Sequence, residues 1–301
     1  MGRVGASIAF TLVAKGLVDE LILANRTLAR ATGEAKDLLH ASAFVQRPLR
    51  IRAGWLEATS DSDVVVMCAS KGVRQQVQSR LELATDNAQL FDELIPEIAA
   101  RSPQAILLVV TNPVDAMTFQ ALRLSGFASQ RVMGTGTLID SARYRSLLSA
   151  EVGIHPDDIR AYILGEHGDT QFAANSLAWT GGERLHDDAT TRRIFEETVR
   201  TGYDVYQAKG YTNHAIALAV ALVVESIGRD ECRTMPLSVL MDGFLGERDV
   251  CLSVPVVVGR AGIVRQLCPE LSKQEQAAFH ASARAVRRTL SALATPLRER
   301  N

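Results

Sequence analysis

Asp63-Val64-Val65-Val66-Met67-Cys68 and Ala105-Ile106-Leu107-Leu108-Val109-Val110-Thr111 are two short apolar runs, separated by a segment with helical spacing over residues 80–100. Each run is too short for a buried helix, and the first is rich in valine. Both therefore read as strands covered on both faces, the signature of a parallel sheet. A third run, Glu20-Leu21-Ile22-Leu23-Ala24, lies upstream and follows a helix over 4–15 that Gly16 closes. Strands alternating with helices predict a doubly wound parallel α/β sheet. Downstream the alternation ends near Gly134 and Gly136. The later half reads as α+β: a helix over 137–152, a strand over 159–164, helices over 190–208 and 213–227, a strand over 250–258, and an amphipathic helix over 273–293 stopped by Pro296. The expected division is 1–134 and 135–301.

Composition narrows the function. The 301 residues, 47% hydrophobic and 22% charged, describe an ordinary globular chain long enough for two domains. Lys+Arg of 33 against Asp+Glu of 34 leaves a net charge of -1, so no basic field is expected to hold nucleic acid. The longest apolar run, residues 215–224, is about half of a membrane span. Cys68, Cys232, Cys251 and Cys268 show no paired spacing and read as buried or incidental thiols of a reducing compartment. A cytoplasmic enzyme without a metal site is expected.

Gly2-Arg3-Val4-Gly5 has the form of the end of a G-x-G-x-x-G turn, with Gly2 and Gly5 as its second and third glycines. The second lets the backbone, here Gly2 to Val4, approach a pyrophosphate, and the third lets helix and strand pack closely. The first residues thus read as part of a Rossmann-type dinucleotide site. The first glycine and its feeding strand would fall before Met1. We therefore expect a start placed too late or a truncated chain, and a sheet lacking a strand between the one at Glu20 and those at Asp63 and Ala105. At the end of the second strand an acidic residue ordinarily binds the ribose hydroxyls. Here Asn25 stands there, followed by Arg26 and Arg30. Losing the carboxylate removes repulsion of a 2′-phosphate, and two guanidinium groups can bracket one. The cofactor reading is NADP or NAD, with NADP favoured; the run Asn25-Arg26-Thr27-Leu28-Ala29-Arg30 resembles the phosphate clamp of NADP-dependent enzymes such as the shikimate dehydrogenases.

Leu164-Gly165-Glu166-His167-Gly168-Asp169-Thr170 places a histidine between glycines at a strand end, a poor position for core packing. Asp140 and Arg143 are three apart on a predicted helix and share a face. An aspartate can fix an imidazole's tautomer and hold it charged; an arginine offers a planar fork to a carboxylate. Arg80 begins a helix after an irregular loop, from which it can swing over a site.

With these residues in place, the sequence resembles the lactate/malate dehydrogenase family from Gly2 onward. The motifs are Leu164–Thr170, Thr137 to Arg143 (T-x-x-D-S-A-R), Thr111-Asn112-Pro113-Val114-Asp115, Glu34 to Ala41, and Lys209-Gly210-Tyr211-Thr212. The resemblance implies reversible hydride transfer to a small 2-oxo acid from a nicotinamide cofactor, in a homodimer or homotetramer. It also implies roles. His167 is the acid–base group and Asp140 orients it. Arg143 binds the substrate carboxylate, and Arg80 polarises the carbonyl when its loop closes. Asn112 contacts substrate and nicotinamide, and Thr212 lines the pocket. The loop before Arg80 departs from the family pattern in lacking its proline and glycine and in being one residue long. Counting back six from Arg80 gives Arg74, which suits a second carboxylate as in malate. If the extra residue lies after that position, Gln75 takes the role, which suits lactate. Thr212 is lactate-like. The rival class is a catalytically silent homologue kept for binding or assembly.

Overall fold

The computed structural model describes residues 2–45, 47–71 and 80–294. α1 (Arg3–Ala14) is followed by β1 (Glu20–Ala24), α2 (Leu28–Ser42), β2 (Arg50–Gly54) and β3 (Val64–Met67). Then come α3 (Arg80–Arg101), β4 (Ile106–Val109), α4 (Val114–Ser125), β5 (Val132–Gly134) and α5 (Leu138–Val152). A set of two-residue strands follows: β6 (Ile159–Arg160), β7 (Ile163–Leu164), β8 (Phe172–Ala173), β9 (Trp179–Thr180) and β10 (Glu183–Arg184). The chain ends with α6 (Ala189–Lys209), α7 (His214–Arg229), β11 (Arg233–Asp242), β12 (Arg248–Gly259), β13 (Gly262–Gln266) and α8 (Lys273–Ala294).

Among the described residues the strands form four sheets, two of which contain the parallel pairs. β1 and β2 pair in parallel from Glu20↔Arg50 to Ala24↔Gly54 and stand alone. A six-stranded sheet runs β13-β12-β11-β5-β4-β3. Its β3–β4 and β4–β5 pairs are parallel, and its β11–β12 and β12–β13 pairs antiparallel. Among the described residues no strand joins β1 to β3. Leu21 of β1 and Val64 and Val66 of β3 nevertheless pack on one core that includes Ile8 and Leu12 of α1.

The parallel part continues into the antiparallel part through a single ladder contact, Ser238↔Gly134. A side chain at Gly134 could not form there, since its Cβ would lie 2.2 Å from Thr118 Oγ1 and 3.2 Å from Ser238 Cβ. The close approach brings β11 against α4 at the carboxyl ends of β4 and β5, where ligands of such sheets bind.

One reading needs correction. The stretch 159–164 is not one strand: β6 pairs with β9 and β7 with β8, and the chain changes partner at Ala161–Tyr162. The Tyr162 carbonyl there accepts from the Ala174 N–H at 2.9 Å, a bond made beyond the end of the β7–β8 ladder. The cysteines divide: Cys251 is buried and Cys68 half-buried, whereas Cys232 and Cys268 are exposed, and all four are free thiols. Among the described residues no single helix is long and apolar enough to cross a membrane. α6 and α7 pass such a test only as a pair bent by 118°, and α7 buries most of its apolar residues in the core.

Candidate active site

The site is built around a bend after β7. Gly165 has φ +90°, and a Cβ there would lie 2.4 Å from Ser282 Oγ, so this position must be glycine. Its backbone exchanges two hydrogen bonds with Ser253 of β12, at 3.0 and 2.8 Å. The bend is thereby fixed, and it delivers Glu166 and His167 to the mouth of the sheet. α5 is riveted to β7 from beneath. Thr137 Oγ1 donates to the Ile163 carbonyl at 2.5 Å, and Ser141 Oγ accepts from the Ile163 N–H at 2.9 Å. The helix carrying Asp140 and the strand leading to His167 are thus held in one register.

His167 Nδ1 lies 2.5 Å from Asp140 Oδ2, and Arg143 Nη1 donates to Asp140 Oδ1 at 2.9 Å. The aspartate is 3% exposed, so its two charged partners compensate a carboxylate that has left water. It accepts from Nδ1, so the free imidazole carries its proton on Nδ1 and leaves Nε2 without a hydrogen bond to the described residues. Burial opposes the imidazolium, but the Asp140 carboxylate, by charge and by hydrogen bond, overcomes it and holds the His167 pKa above its ordinary value. For Asp140 burial again acts in the unfavourable direction, and His167 and then Arg143 prevail, holding the carboxyl below its usual range.

The other predicted residues are distributed around this centre. Asn112 lies just past β4 and is exposed; its Oδ1 accepts from the Val114 N–H at 3.3 Å. Arg80 is the first residue of α3. Arg74 and Gln75 lie outside the described residues. Thr212 sits half-buried in the turn between α6 and α7. That turn is tied to α1: Asn213 Nδ2 donates to Ser7 Oγ at 2.7 Å, and the Arg3 guanidinium stands 4.3 Å over the Tyr211 ring. The Arg3 side chain is therefore spent on a cation–π contact, leaving its backbone to a ligand.

Two buried polar residues were not singled out in the sequence. Asn87 of α3, 1% exposed, donates to the Asn112 carbonyl at 2.8 Å and accepts from the Lys71 N–H and Ser70 Oγ, each at 3.1 Å. It fastens the end of β3 to the turn carrying Asn112. Its signal was weak, since one asparagine in a polar helical stretch reads as solvated. Asp115 ends the run Thr111-Asn112-Pro113-Val114-Asp115, and nothing in that run signals a partner for it. Its carboxylate accepts from the His167 N–H at 2.7 Å and from Ser238 Oγ at 2.6 Å. Burial pushes its carboxyl up to about 6.

The residues also fit a dinucleotide. Gly2 is extended ahead of α1, at φ −99° and ψ 177°, and no side chain caps that helix, so its first amide groups are left for a ligand. Among the described residues nothing lies within 4 Å of the position a Gly2 Cβ would take. Val4 and Gly5 continue that turn. Asn25 Oδ1 accepts from the Thr27 N–H at 3.0 Å, closing the turn that ends β1. Arg26 and Arg30 are exposed, and neither is in an ion pair with the described residues.

Comparison with known proteins gives the same picture. The model of the lactate/malate dehydrogenase NAD-binding domain matches residues 1–134, and that of the family's alpha/beta C-terminal domain matches residues 137–294. The L-lactate dehydrogenase of Synechococcus sp. (strain JA-3-3Ab) is 38% identical over 299 residues, covering 97% of both chains. That of Gloeobacter violaceus is 39% identical over 303 residues, covering 97% of this chain and 91% of its own. A crystal structure of a lactate dehydrogenase from a Medee basin deep-sea metagenome library superposes with a TM-score of 0.94 at 31% identity, covering 98% of this chain and 97% of that one. Matched along nearly its whole length in sequence and in fold, the chain belongs to the lactate/malate dehydrogenase family and is an oxidoreductase moving a hydride between a nicotinamide cofactor and a small L-2-hydroxy acid.

Proposed function

We propose that the protein is a lactate-type dehydrogenase with a preference for NADP, in which His167, Asp140 and Arg143 carry the acid–base and substrate-binding work. The observation that carries this reading is the coupling of the three side chains through one buried carboxylate, with contacts of 2.5 and 2.9 Å. A nicotinamide dinucleotide, when bound, supplies or accepts the hydride. Arg143 receives the carboxylate of the 2-oxo acid with the part of its fork that Asp140 leaves free. His167 gives the proton on Nε2 to the carbonyl oxygen during reduction and takes it back during oxidation. Asp140 keeps Nδ1 protonated throughout and stabilises the imidazolium. Arg80 polarises the carbonyl, Asn112 contacts substrate and nicotinamide, and Thr212 lines the pocket. Gly2, Arg3, Val4 and Gly5 hold the pyrophosphate through their backbone. In this division residues 1–134 hold the cofactor and 135–301 the proton machinery.

Lactate rather than malate is favoured by the names of the similar proteins and by Thr212. NADP is favoured by Asn25 in place of a carboxylate and by two exposed arginines beside it. Phe10, Leu39, Phe44 and Leu218, 51–92% exposed on or beside α1, α2 and α7, support a homo-oligomer. The test is steady-state reduction of pyruvate and oxaloacetate with NADH and with NADPH. We expect kcat/KM for pyruvate to exceed that for oxaloacetate by about tenfold or more. A reversal would place the protein among the malate enzymes.

A further inference from the structure

Asp115 is the charge that the proton-transfer scheme leaves unused. It lies in the first turn of α4, 2% exposed. Both its oxygens are engaged across element boundaries. Oδ2 accepts from the backbone N–H of His167 at 2.7 Å, and Oδ1 accepts from Ser238 Oγ of β11 at 2.6 Å. Ser238 is itself fully buried and stands opposite Gly134 in the sheet. His167 is therefore held twice, at its backbone by α4 and at its ring by α5.

We propose that Asp115 is a positioning residue for the reaction, a second buried carboxylate that fixes the backbone of His167 and adds a negative charge to the surroundings of its imidazole. This rests on the assignment of His167 as the acid–base group. A structural task alone, accepting two hydrogen bonds, needs no charge. Asparagine has nearly the same shape and can accept from the His167 N–H while its amide donates to Ser238 Oγ. A buried carboxylate must overcome desolvation that an amide avoids. The retained charge has one cationic group to act on, His167, and its field there favours the imidazolium. The other charged groups facing His167 are Asp140 and Arg143 of α5; those facing Asp115 are His167 and Glu166 of the bend, with the thiol of Cys251 of β12 also within its field. Arg143 opposes the imidazolium, so one carboxylate shared between Arg143 and His167 leaves room for a second.

The experiment compares Asp115→Asn with wild type through the pH profile of kcat/KM for reduction of the preferred 2-oxo acid, alongside thermal melting. Asp115→Asn is expected to fold and to move the alkaline limb to lower pH, so that activity on that limb falls by about threefold or more while activity well below it is kept. Ser238→Ala provides a milder route to the same end. Removing its donor makes the Asp115 carboxylate easier to protonate, and the limb should move the same way by less. An Asp115→Asn profile superimposable on wild type, or a changed melting temperature with an unmoved limb, overturns the proposal and leaves Asp115 a structural residue. If Asp115→Asn does not fold, an unmoved limb in Ser238→Ala overturns it. A wild-type protein that reduces no 2-oxo acid would instead contradict the functional reading.

Discussion

The two chemical corners of the molecule are built on opposite principles. Around His167 most polar groups are committed. Asp140 and Asp115 are buried, Ser141 and Thr137 lock α5 to β7, and Gly165 admits no side chain. At the end of β1 almost nothing is committed. Asn25 closes its own turn, while Arg26 and Arg30 extend into solvent. A buried, cross-linked site amplifies each loss, because removing one partner leaves another charge unpaired in a poor solvent for it. An exposed corner is screened by water, so its residues tune preference by small increments. Substitutions should therefore be severe and indivisible at the first corner and mild and separable at the second.

The largest effect should come from Asp140→Asn. It removes the anion that holds His167 charged and that Arg143 leans on, so kcat for reduction should fall by about 10²-fold or more. Reduction uses the imidazolium, which is present below the pKa of His167 and lost as pH rises through it. Asp140 holds that pKa above its ordinary value, so the residual activity of the variant should disappear at lower pH than that of the wild type. An unshifted profile would break the link between the two residues. Arg143→Lys should come next, raising KM for the 2-oxo acid by about tenfold or more with nucleotide binding intact, since an ammonium is a point charge where the site presents a fork. An unaltered KM would make Arg143 a structural partner of Asp140 only.

At the exposed corner Asn25→Asp should shift the NADPH/NADH ratio of kcat/KM toward NADH by about tenfold, restoring a ribose-binding carboxylate and repelling the 2′-phosphate. The shift should shrink as salt is raised. Equal loss for both cofactors would show that the arginines are not a phosphate clamp. The smallest effect tests how tightly the buried corner is packed. Gly202 lies inside α6, where glycine costs about 0.5–1 kcal/mol relative to alanine, and the nearest atoms to its missing Cβ are Nη1 and Cζ of Arg143, at 3.3 and 3.7 Å. Gly202→Ala should raise the melting temperature slightly and still raise substrate KM by about twofold, because the guanidinium must give way. A rise in stability with unchanged KM would show slack around Arg143.

The contrast also explains what was legible in the sequence. Short valine- and leucine-rich runs revealed β3 and β4, and helical spacing revealed α3 and α8, because burial on known faces imposes a period. β11 was hidden by Pro236 and Ser238 in what proved to be an inner strand; Pro236 lies opposite Pro255 in the β12 ladder. β5 has three residues and β6 to β10 two each, too short for any pattern. In the site, His167, Asp140 and Arg143 stood out through their motifs, and the Asp140–Arg143 contact followed from helical spacing. Asn87 and Asp115 act through hydrogen bonds to groups far away in sequence, three of them backbone and one the Ser238 hydroxyl, and these pairings span 16, 25, 52 and 123 residues along the chain. No local pattern reports such partners; only the packing of α3, α4 and β11 brings them together.

The account stands on His167 as the group that moves the substrate proton. The direct measurement is a single-turnover reaction of a 2-oxo acid with the reduced nucleotide complex of wild type and of His167→Ala, with nucleotide affinity measured separately by fluorescence titration. The account predicts that His167→Ala binds nucleotide as wild type does and transfers hydride at least about 10²-fold more slowly. Hydride transfer at the wild-type rate in that variant would contradict it.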